Sequence, residues 1–230
     1  RRQRQMCIRD SVDVGLYVLE RLLRPLWVTT LLVGVAPGAE ALVMDALNAL
    51  LGSGPGLQSH YVWMLLYSLV ILVLYDLLFF LIHYAEHKIP VLWAIHKVHH
   101  SAEVLTPLTR YREHFLEGPI YAIGAALSFG IVAGLFGWLF SDSIAQATLF
   151  NIGFFAVLFG FNGSFRHYHV AFHYPRWLSK WLHSPVMHHT HHSYLEHHWD
   201  TNLAAVTSIW DRAFGTLSVS YTHLRAHETG

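Results

Sequence analysis

Long apolar runs, separated by shorter polar stretches, dominate the chain. Residues 61–82 include a single charge, and their length is enough to cross ~30 Å of hydrocarbon. Residues 119–139 and 144–162 contain no charge, and the short stretch between them is typical of a helical hairpin. An earlier run, residues 16–36, is interrupted by charges in its first half. The pattern predicts about four transmembrane helices, at 16–36, 61–82, 119–139 and 144–162.

The pattern gives no sign of a β-sheet. Strictly alternating runs rich in Val, Ile or Thr are missing, so no substantial sheet is expected. Small residues in the third run, Gly124, Gly130 and Gly134, should let neighbouring helices pack closely. The predicted fold class is therefore all-α and integral to a membrane.

Basic residues indicate how the helices are oriented. No Lys or Arg occurs between Arg24 and Lys88, or between Arg112 and Arg166. Because Lys and Arg collect in cytoplasmic loops, the connectors in these two gaps should lie on the far side of the membrane. Four crossings with both chain ends inside satisfy this rule, and they place every long His-bearing segment in a cytoplasmic helical cap.

Composition narrows the class of protein further. The chain is 53% hydrophobic with a mean hydropathy of +0.35, which fits one integral membrane domain over residues 12–218. Zero formal net charge leaves no basic face for nucleic acid. Cys7 is the only cysteine, so an internal disulfide and any Cys-based metal site are excluded. Residues 1–11 and 219–230 are expected to be non-native tails, because both resemble translated sequencing adapters.

The first candidate chemistry lies at the end of the 61–82 run. His83 and His87 are four residues apart, so on a helix both rings point from one face. Asp76 falls on the same stripe inside the predicted span, where an acidic residue is costly and usually functional. We predict that it accepts the second ring N–H of a ligating histidine, unless it makes a bond between helices.

Further histidines repeat this spacing in two separate segments. One set has the spacing i, i+3, i+4 and follows closely: His96, His99 and His100. The later segment holds an i, i+4 pair, a second i, i+3, i+4 set and one more residue: His169, His173, His188, His191, His192 and His198. These are more imidazoles than one tetrahedral or octahedral ion can bind, which predicts two metal ions, although imidazole alone does not name the metal. Asp200 is expected to orient a histidine, and His167 to be an ordinary hydrogen-bonded one.

Two stretches, residues 76–114 and 188–217, resemble the fatty acid hydroxylase / sterol desaturase superfamily. They join H-x3-H, H-x2-HH and a later H-x2-HH to a closing W-D-x-x-F-G-T. The resemblance implies a membrane-bound non-haem di-iron oxygenase that uses O2 to hydroxylate or desaturate a lipid C–H bond. It also implies an external electron donor of the cytochrome b5 or ferredoxin type, and two Fe ions for which Zn can substitute on purification. Carried over by position, the ligands are His83, His87, His96, His99, His100, His188, His191 and His192, with His169, His173 and His198 matching only some branches.

Other interpretations stay open at this point. Acyl-lipid desaturases and alkane hydroxylases have similar boxes, but their first two boxes are farther apart than here. A non-catalytic His-rich protein that binds or transports metal is a second alternative. A lipid tunnel could be lined by aromatic side chains from the second and fourth runs, although such a stripe in a membrane helix more often serves packing or lipid contact: Phe79, Phe80, Phe150, Phe154 and Phe155. Which lipid, which carbon and which of the two reactions are involved cannot be read from the residues.

Overall fold

A computed structural model describes residues 2–58, 60–140, 165–170 and 172–218. The predicted span at 144–162, with its three tunnel phenylalanines, and the predicted tail 219–230 lie outside these residues. Within the described part the chain is mostly helical, and pairing between extended segments is limited to two isolated bridges. The expectation of an all-α protein without a substantial sheet is confirmed for these residues.

Among the described residues, three helices are long and apolar enough to cross a membrane. They are α1 (Arg2–Leu51), α2 (Tyr61–Lys88) and α4 (Glu117–Leu139). The short helix α3 (Pro90–His96) follows α2 directly. The remaining elements are short: α5 (Arg176–Ser179), α6 (Pro185–His191), α7 (Ile209–Ala213), and 3₁₀ turns at His99–Ser101, Thr109–Tyr111 and Glu196–His198.

Helix α1 differs from the span predicted at 16–36. It continues to Leu51, through a stretch expected to be a connector, and its apolar part, Ser11–Leu51, has 41 residues. At 1.5 Å per residue this part is about 60 Å long, roughly twice the thickness of the hydrocarbon layer. Trp27 lies against Gly118 at the start of α4, so the residues before Trp27 project past this end of α4, and we call them the projecting part of α1. The charges that interrupt the first half of the predicted span belong to this projection.

Glycines hold α1 close to α4. A Cβ atom added to Gly134 would lie 2.6 Å from the carbonyl oxygen of Glu40, and one added to Gly130 would collide with the backbone of Ala36. A larger residue would therefore force the two helices apart. The predicted role of these glycines is confirmed, and α1 runs parallel to α4.

Helix α2 packs antiparallel to α4 through aromatic and branched side chains. Tyr67 and Ile71 of α2 form a buried cluster with Val132, Phe136 and Phe140, and the rings of Tyr67 and Phe136 meet edge to face at 5.1 Å. At the other end, α2 stops at Ile89–Pro90, because Pro90 lacks the N–H needed to continue the helix and instead begins α3. The reversal brings α3 back beside the last turns of α2.

The closing segment, residues 202–208, packs on α2 and is held by two buried carboxylates. Asp76 accepts hydrogen bonds from the backbone N–H groups of Val206 (2.8 Å) and Thr207 (3.0 Å). Asp211, in the first turn of α7, accepts them from Leu203 (2.7 Å) and Ala204 (3.1 Å). Asp76 thus fixes the closing segment, where the sequence analysis expected it to hold an imidazole ring.

Candidate metal centre

Five imidazoles converge where α2, α3 and α6 meet, and we call them the first histidine group. Their ligand atoms all lie within 4.8 Å of one another. His83 and His87 come from the last turns of α2, because residues four apart share one helical face. The group consists of His83, His87, His96, His100 and His191.

In four of these five rings the outer nitrogen, Nδ1, lies against an oxygen atom of the protein. His83 Nδ1 lies 2.6 Å from the carbonyl oxygen of Leu203, and His191 Nδ1 lies 2.9 Å from that of Thr201. A carbonyl oxygen accepts only, so each Nδ1 must carry the hydrogen and each Nε2 keeps its lone pair. Two further rings face carboxyl groups: His96 Nδ1 lies 2.7 Å from Glu117 Oε1, and His87 Nδ1 lies 3.1 Å from Asp200 Oδ1. An ionised carboxyl group accepts only and would fix the same tautomer.

The lone pairs of the first group therefore point at one another. His96 Nε2 lies 3.0 Å from His83 Nε2 and 3.1 Å from His100 Nε2. His87 Nε2 and His191 Nε2 are buried and have no hydrogen-bond partner within the described part of the chain. Lone pairs that face each other repel unless a cation lies between them, so this donor set fits a metal ion.

Four more imidazoles form the second histidine group: His99, His167, His188 and His192. Their ligand atoms also lie within 4.8 Å of one another. His188 and His192 project from one side of α6 and its end, while His99 comes from the turn after α3. His188 Nε2 lies 2.9 Å from His167 Nε2 and 3.1 Å from His192 Nε2. His188 and His192 each have a buried Nδ1 without a hydrogen-bond partner among the described residues, while the ring of His99 bonds to the backbone of Arg112.

The two groups share a border. His100 of the first group stacks on His192 of the second, with ring centroids 4.4 Å apart. His99 and His100 are neighbours in the chain, as are His191 and His192, so each pair of adjacent residues supplies one ring to each group. This alternation places two candidate metal sites side by side, with rings from both His-rich segments in each.

Burial sets the protonation state of these rings. Removal from water is the main cause that lowers the pKa of His99 to about 4. The same cause, reinforced by neighbouring imidazoles, holds the pKa of His188, His191 and His192 well below the usual value of 6.5. The rings are therefore neutral at pH 7, which is the form that binds metal.

Three histidines named from the sequence lie elsewhere. His169 and His173 are exposed and belong to neither group. His198 is fully buried in its 3₁₀ turn, also outside both groups. Asp200 has a positive φ of 56°, and its carboxylate reaches both His87 and the ammonium of Lys88 (2.6 Å).

Sequence reasoning missed His167 and Glu117. His167 and His169 are two residues apart in a segment without long helical periodicity, so spacing could not show which ring faces inward. Glu117 could have been found, because an acidic residue next to an apolar run often indicates a functional position. It is buried beside Glu86, which lies 3.4 Å from His96 Nδ1 and accepts a hydrogen bond from the Tyr121 hydroxyl at 2.6 Å.

A cavity of about 270 Å³ reaches both histidine groups. Its apolar walls come from the projecting part of α1 and from α2 and α4, and they include Leu19, Leu23, Trp27, Phe79 and Ala125. Phe79 was expected to line a tunnel and does so, whereas Phe80 packs against Leu203 and Ala204. The cavity also borders charged side chains: Glu20, Arg24, Arg110, Glu113, Glu117 and Arg166.

Two known proteins with the same name are similar to this chain. Alkylglycerol monooxygenase of Danio rerio is 28% identical over 145 residues, which are 62% of this chain and 28% of that protein. Alkylglycerol monooxygenase of Xenopus tropicalis is 27% identical over 143 residues, which are 61% of this chain and 28% of that protein. The chain therefore spans little more than a quarter of these relatives. No solved structure matches it.

A family model described as fatty acid hydroxylase matches residues 68–216. The match begins within α2 and ends just after α7, so it includes every member of both histidine groups. The chain belongs to the fatty acid hydroxylase family.

Proposed function

We propose that this protein is an integral membrane oxygenase that uses O2 and a pair of iron ions to hydroxylate or desaturate a C–H bond of a lipid. The observation that supports this most strongly is the pair of adjoining histidine groups on the wall of a largely apolar cavity. Family membership and the two monooxygenase relatives point to the same chemistry. These relatives make ether-linked glycerolipids the first substrates to test.

The proposed ligands are the nine rings of the two groups. His83, His87, His96, His100 and His191 would hold one ion, and His99, His167, His188 and His192 the other. His167 takes the place that the sequence analysis gave to His169. His173 and His198 are not included, since neither brings a ring nitrogen into either group.

Iron at these sites would supply the activation of O2 toward a C–H bond, with electrons from an external donor of the cytochrome b5 or ferredoxin type. The chain's own part is positioning. Carbonyl and carboxylate acceptors fix the tautomer and direction of four rings in the first group. The apolar walls exclude water and align an aliphatic chain beside the rings, because hydrocarbon offers no charge to bind.

For the membrane arrangement we propose four crossings, with the fourth at 144–162, and a cytoplasmic metal centre. The C-terminal end of α2 and the N-terminal end of α4 lie on the same side as the histidine groups. Lys88, Arg110 and Arg112 are on that side, as the preference of Lys and Arg for cytoplasmic loops requires. A soluble electron donor could then reach the centre from water.

A metal transporter would need ligands inside its membrane spans, and here the rings lie at helix ends and in the following turns.

To test the oxygenase, the full chain would be expressed in a membrane host under 18O2, followed by lipid profiling. Wild type should place 18O in a lipid or desaturate one, and should contain about two iron ions per chain after anaerobic iron loading. His191→Ala and His192→Ala, one from each group, should each abolish the product and lose about one ion.

Exposed His169 supplies the matched control. His169→Ala should keep both the metal content and the product, because its ring lies outside both groups. Equal labelling in wild type and His191→Ala would overturn the catalytic assignment. Full metal content in both ligand variants would overturn the ligand assignment.

A further inference from the structure

The closing segment runs along α2, away from the histidine groups. The carbonyl of Leu203 lies beside His83, whereas Val206 bonds to Asp76, seven residues earlier in α2. Seven residues of helix correspond to about 10 Å along the axis. Asp76 belongs to the apolar run 61–82, so the later part of the closing segment lies beside the predicted membrane span.

The turn that ends α5 is fixed to this later part. The N–H of His183 donates to the carbonyl of Val206, and the N–H of Ser208 donates to that of Trp181, both at 2.9 Å. These backbone bonds leave the turn little freedom to move along α2. Trp181 therefore lies close to the level of Asp76 on the helix axis.

Two indoles and three cations lie exposed at this turn and in α7. Trp177 and Trp181 are four residues apart, and they are 67% and 57% exposed. Arg212 donates to the carbonyl of Lys180, and its guanidinium lies over the Trp181 ring, 5.3 Å from the centroid. We call this set the tryptophan patch: Arg176, Trp177, Lys180, Trp181 and Arg212.

The patch presents positive charge to its surroundings. Within the described chain, the carboxyl groups that α2 and α7 bring to this level are those of Asp76 and Asp211. Both are fully buried and accept hydrogen bonds from backbone N–H groups. The outer surface of the patch is therefore cationic and aromatic.

Indoles and cations side by side are typical of proteins in the head-group layer of a membrane. Trp collects at the membrane–water interface, because its ring is apolar and its N–H is polar. Lys and Arg close to a membrane surface attract anionic lipids. A soluble protein could not reach the level of Asp76 without entering the bilayer, so the position of the patch favours a lipid as its partner.

We propose that the tryptophan patch binds anionic lipid head groups on the metal side of the membrane, with both indoles in the interfacial layer. This contact holds the closing segment at a fixed depth beside α2. It thereby supports the carbonyl of Leu203, which fixes the ring of His83. The inference rests on the proposed membrane crossing of α2 and is independent of the oxygen chemistry.

Brominated lipids test the depth of the patch. The full chain would be placed in nanodiscs with or without bromine on the acyl chains, because bromine quenches nearby indoles. Trp177→Phe and Trp181→Phe should each remove part of the quenched emission. Trp199→Phe is the matched control, since Trp199 is 58% exposed but adjoins Asp200, which pairs with Lys88 beyond the apolar run. It should remove less than about a third as much as Trp181→Phe.

A second measurement tests the charge of the lipid. The nanodiscs would contain equal amounts of phosphatidylglycerol and phosphatidylcholine, with bromine on one lipid or the other. Enrichment of the anionic lipid should make bromine on phosphatidylglycerol at least about twofold more effective in quenching Trp181. High salt and Lys180→Gln should each reduce this difference. Exposed Lys97→Gln, the matched control, should leave it unchanged.

Equal losses of quenched emission from Trp181→Phe and Trp199→Phe would overturn the proposal. So would equal quenching of Trp181 by the two brominated lipids. Alkaline extraction tests the crossing of α2 separately, because an integral protein stays with the membrane at high pH. A chain that resists extraction while Trp177 and Trp181 stay unquenched would overturn this inference and leave the membrane arrangement intact. The quenching needs no turnover, so its outcome is also separate from that of the 18O2 experiment.

Discussion

The two histidine groups differ in what holds their rings. In the first group, four of five rings direct Nδ1 at a carbonyl or carboxylate oxygen. In the second group the ring of His99 bonds to the backbone of Arg112, and His167 Nδ1 faces the hydroxyl of Thr109 at 3.2 Å. That hydroxyl already donates to the carbonyl of Thr106, so it accepts from the ring. The first group is therefore prearranged for metal, while the second depends more on the metal itself to orient its rings.

Removing an acceptor from each group should give the largest difference. Glu117→Ala deprives His96 of its carboxylate, and we expect metal affinity in the first group to fall about 10–100-fold. Thr109→Val removes the neutral acceptor of His167 and should weaken the second group by less than about tenfold. Metal content per chain, measured after dialysis against graded chelator, checks both.

Glu117→Gln serves as the conservative control. Its amide oxygen can still accept from His96 Nδ1, so most of the affinity should return. Equal losses from Glu117→Ala and Thr109→Val would remove the distinction between the groups.

Acidification should distinguish the two groups less than the removal of an acceptor does. Protons compete with metal for a ring nitrogen, so affinity falls as pH falls. In a neutral imidazole one nitrogen carries hydrogen and the other has the lone pair that binds metal, so in both groups the proton adds to the nitrogen that would bind the ion. Burial lowers the pKa of His99 from 6.5 to about 4, so we expect the second group to keep its ion at pH 6.5 and to lose it as pH falls toward 4. Metal per chain measured against pH checks this, and loss of metal already near pH 6.5 would contradict the expectation.

The smallest effect is expected at the edge of the first group. Asp200 bonds to His87, but its side chain is 36% exposed and it also pairs with Lys88. Water screens such a contact, and an Asn side chain still offers an oxygen to the ring. Asp200→Asn should reduce metal affinity less than about threefold, and the reduction should shrink further in high salt. A loss as large as that of Glu117→Ala would mean that exposure does not weaken this acceptor.

Most members of the two histidine groups could be predicted from the sequence, because they follow helical spacing. His83 and His87 share a face of α2, and His188, His191 and His192 repeat that logic around α6. Spacing does not show how rings from separate segments are divided, so the alternation of His99 with His100 and of His191 with His192 between two sites appeared only in the structure. The role of Asp76 was misjudged for the same reason, since its partners lie 130 residues further along.

The hydropathy pattern predicted only part of α1. It detected an apolar run but ended it at residue 36, although Pro37 lies inside a continuous helix. It treated Glu20 and Arg24 as interruptions of a span. In the structure both residues line the cavity from the projecting part of α1.

The dependence of His83 on Leu203 has a consequence for biosynthesis. The acceptors Asp200, Thr201 and Leu203 lie near the end of the described chain, and the N–H of Leu203 is held in turn by Asp211. A ribosome makes the N-terminal part first, so α2 enters the bilayer with both of its imidazoles before these acceptors exist. Complete metal loading of the first group must then follow translation through Leu203, so a transcript that stops before this residue would give a metal-free product.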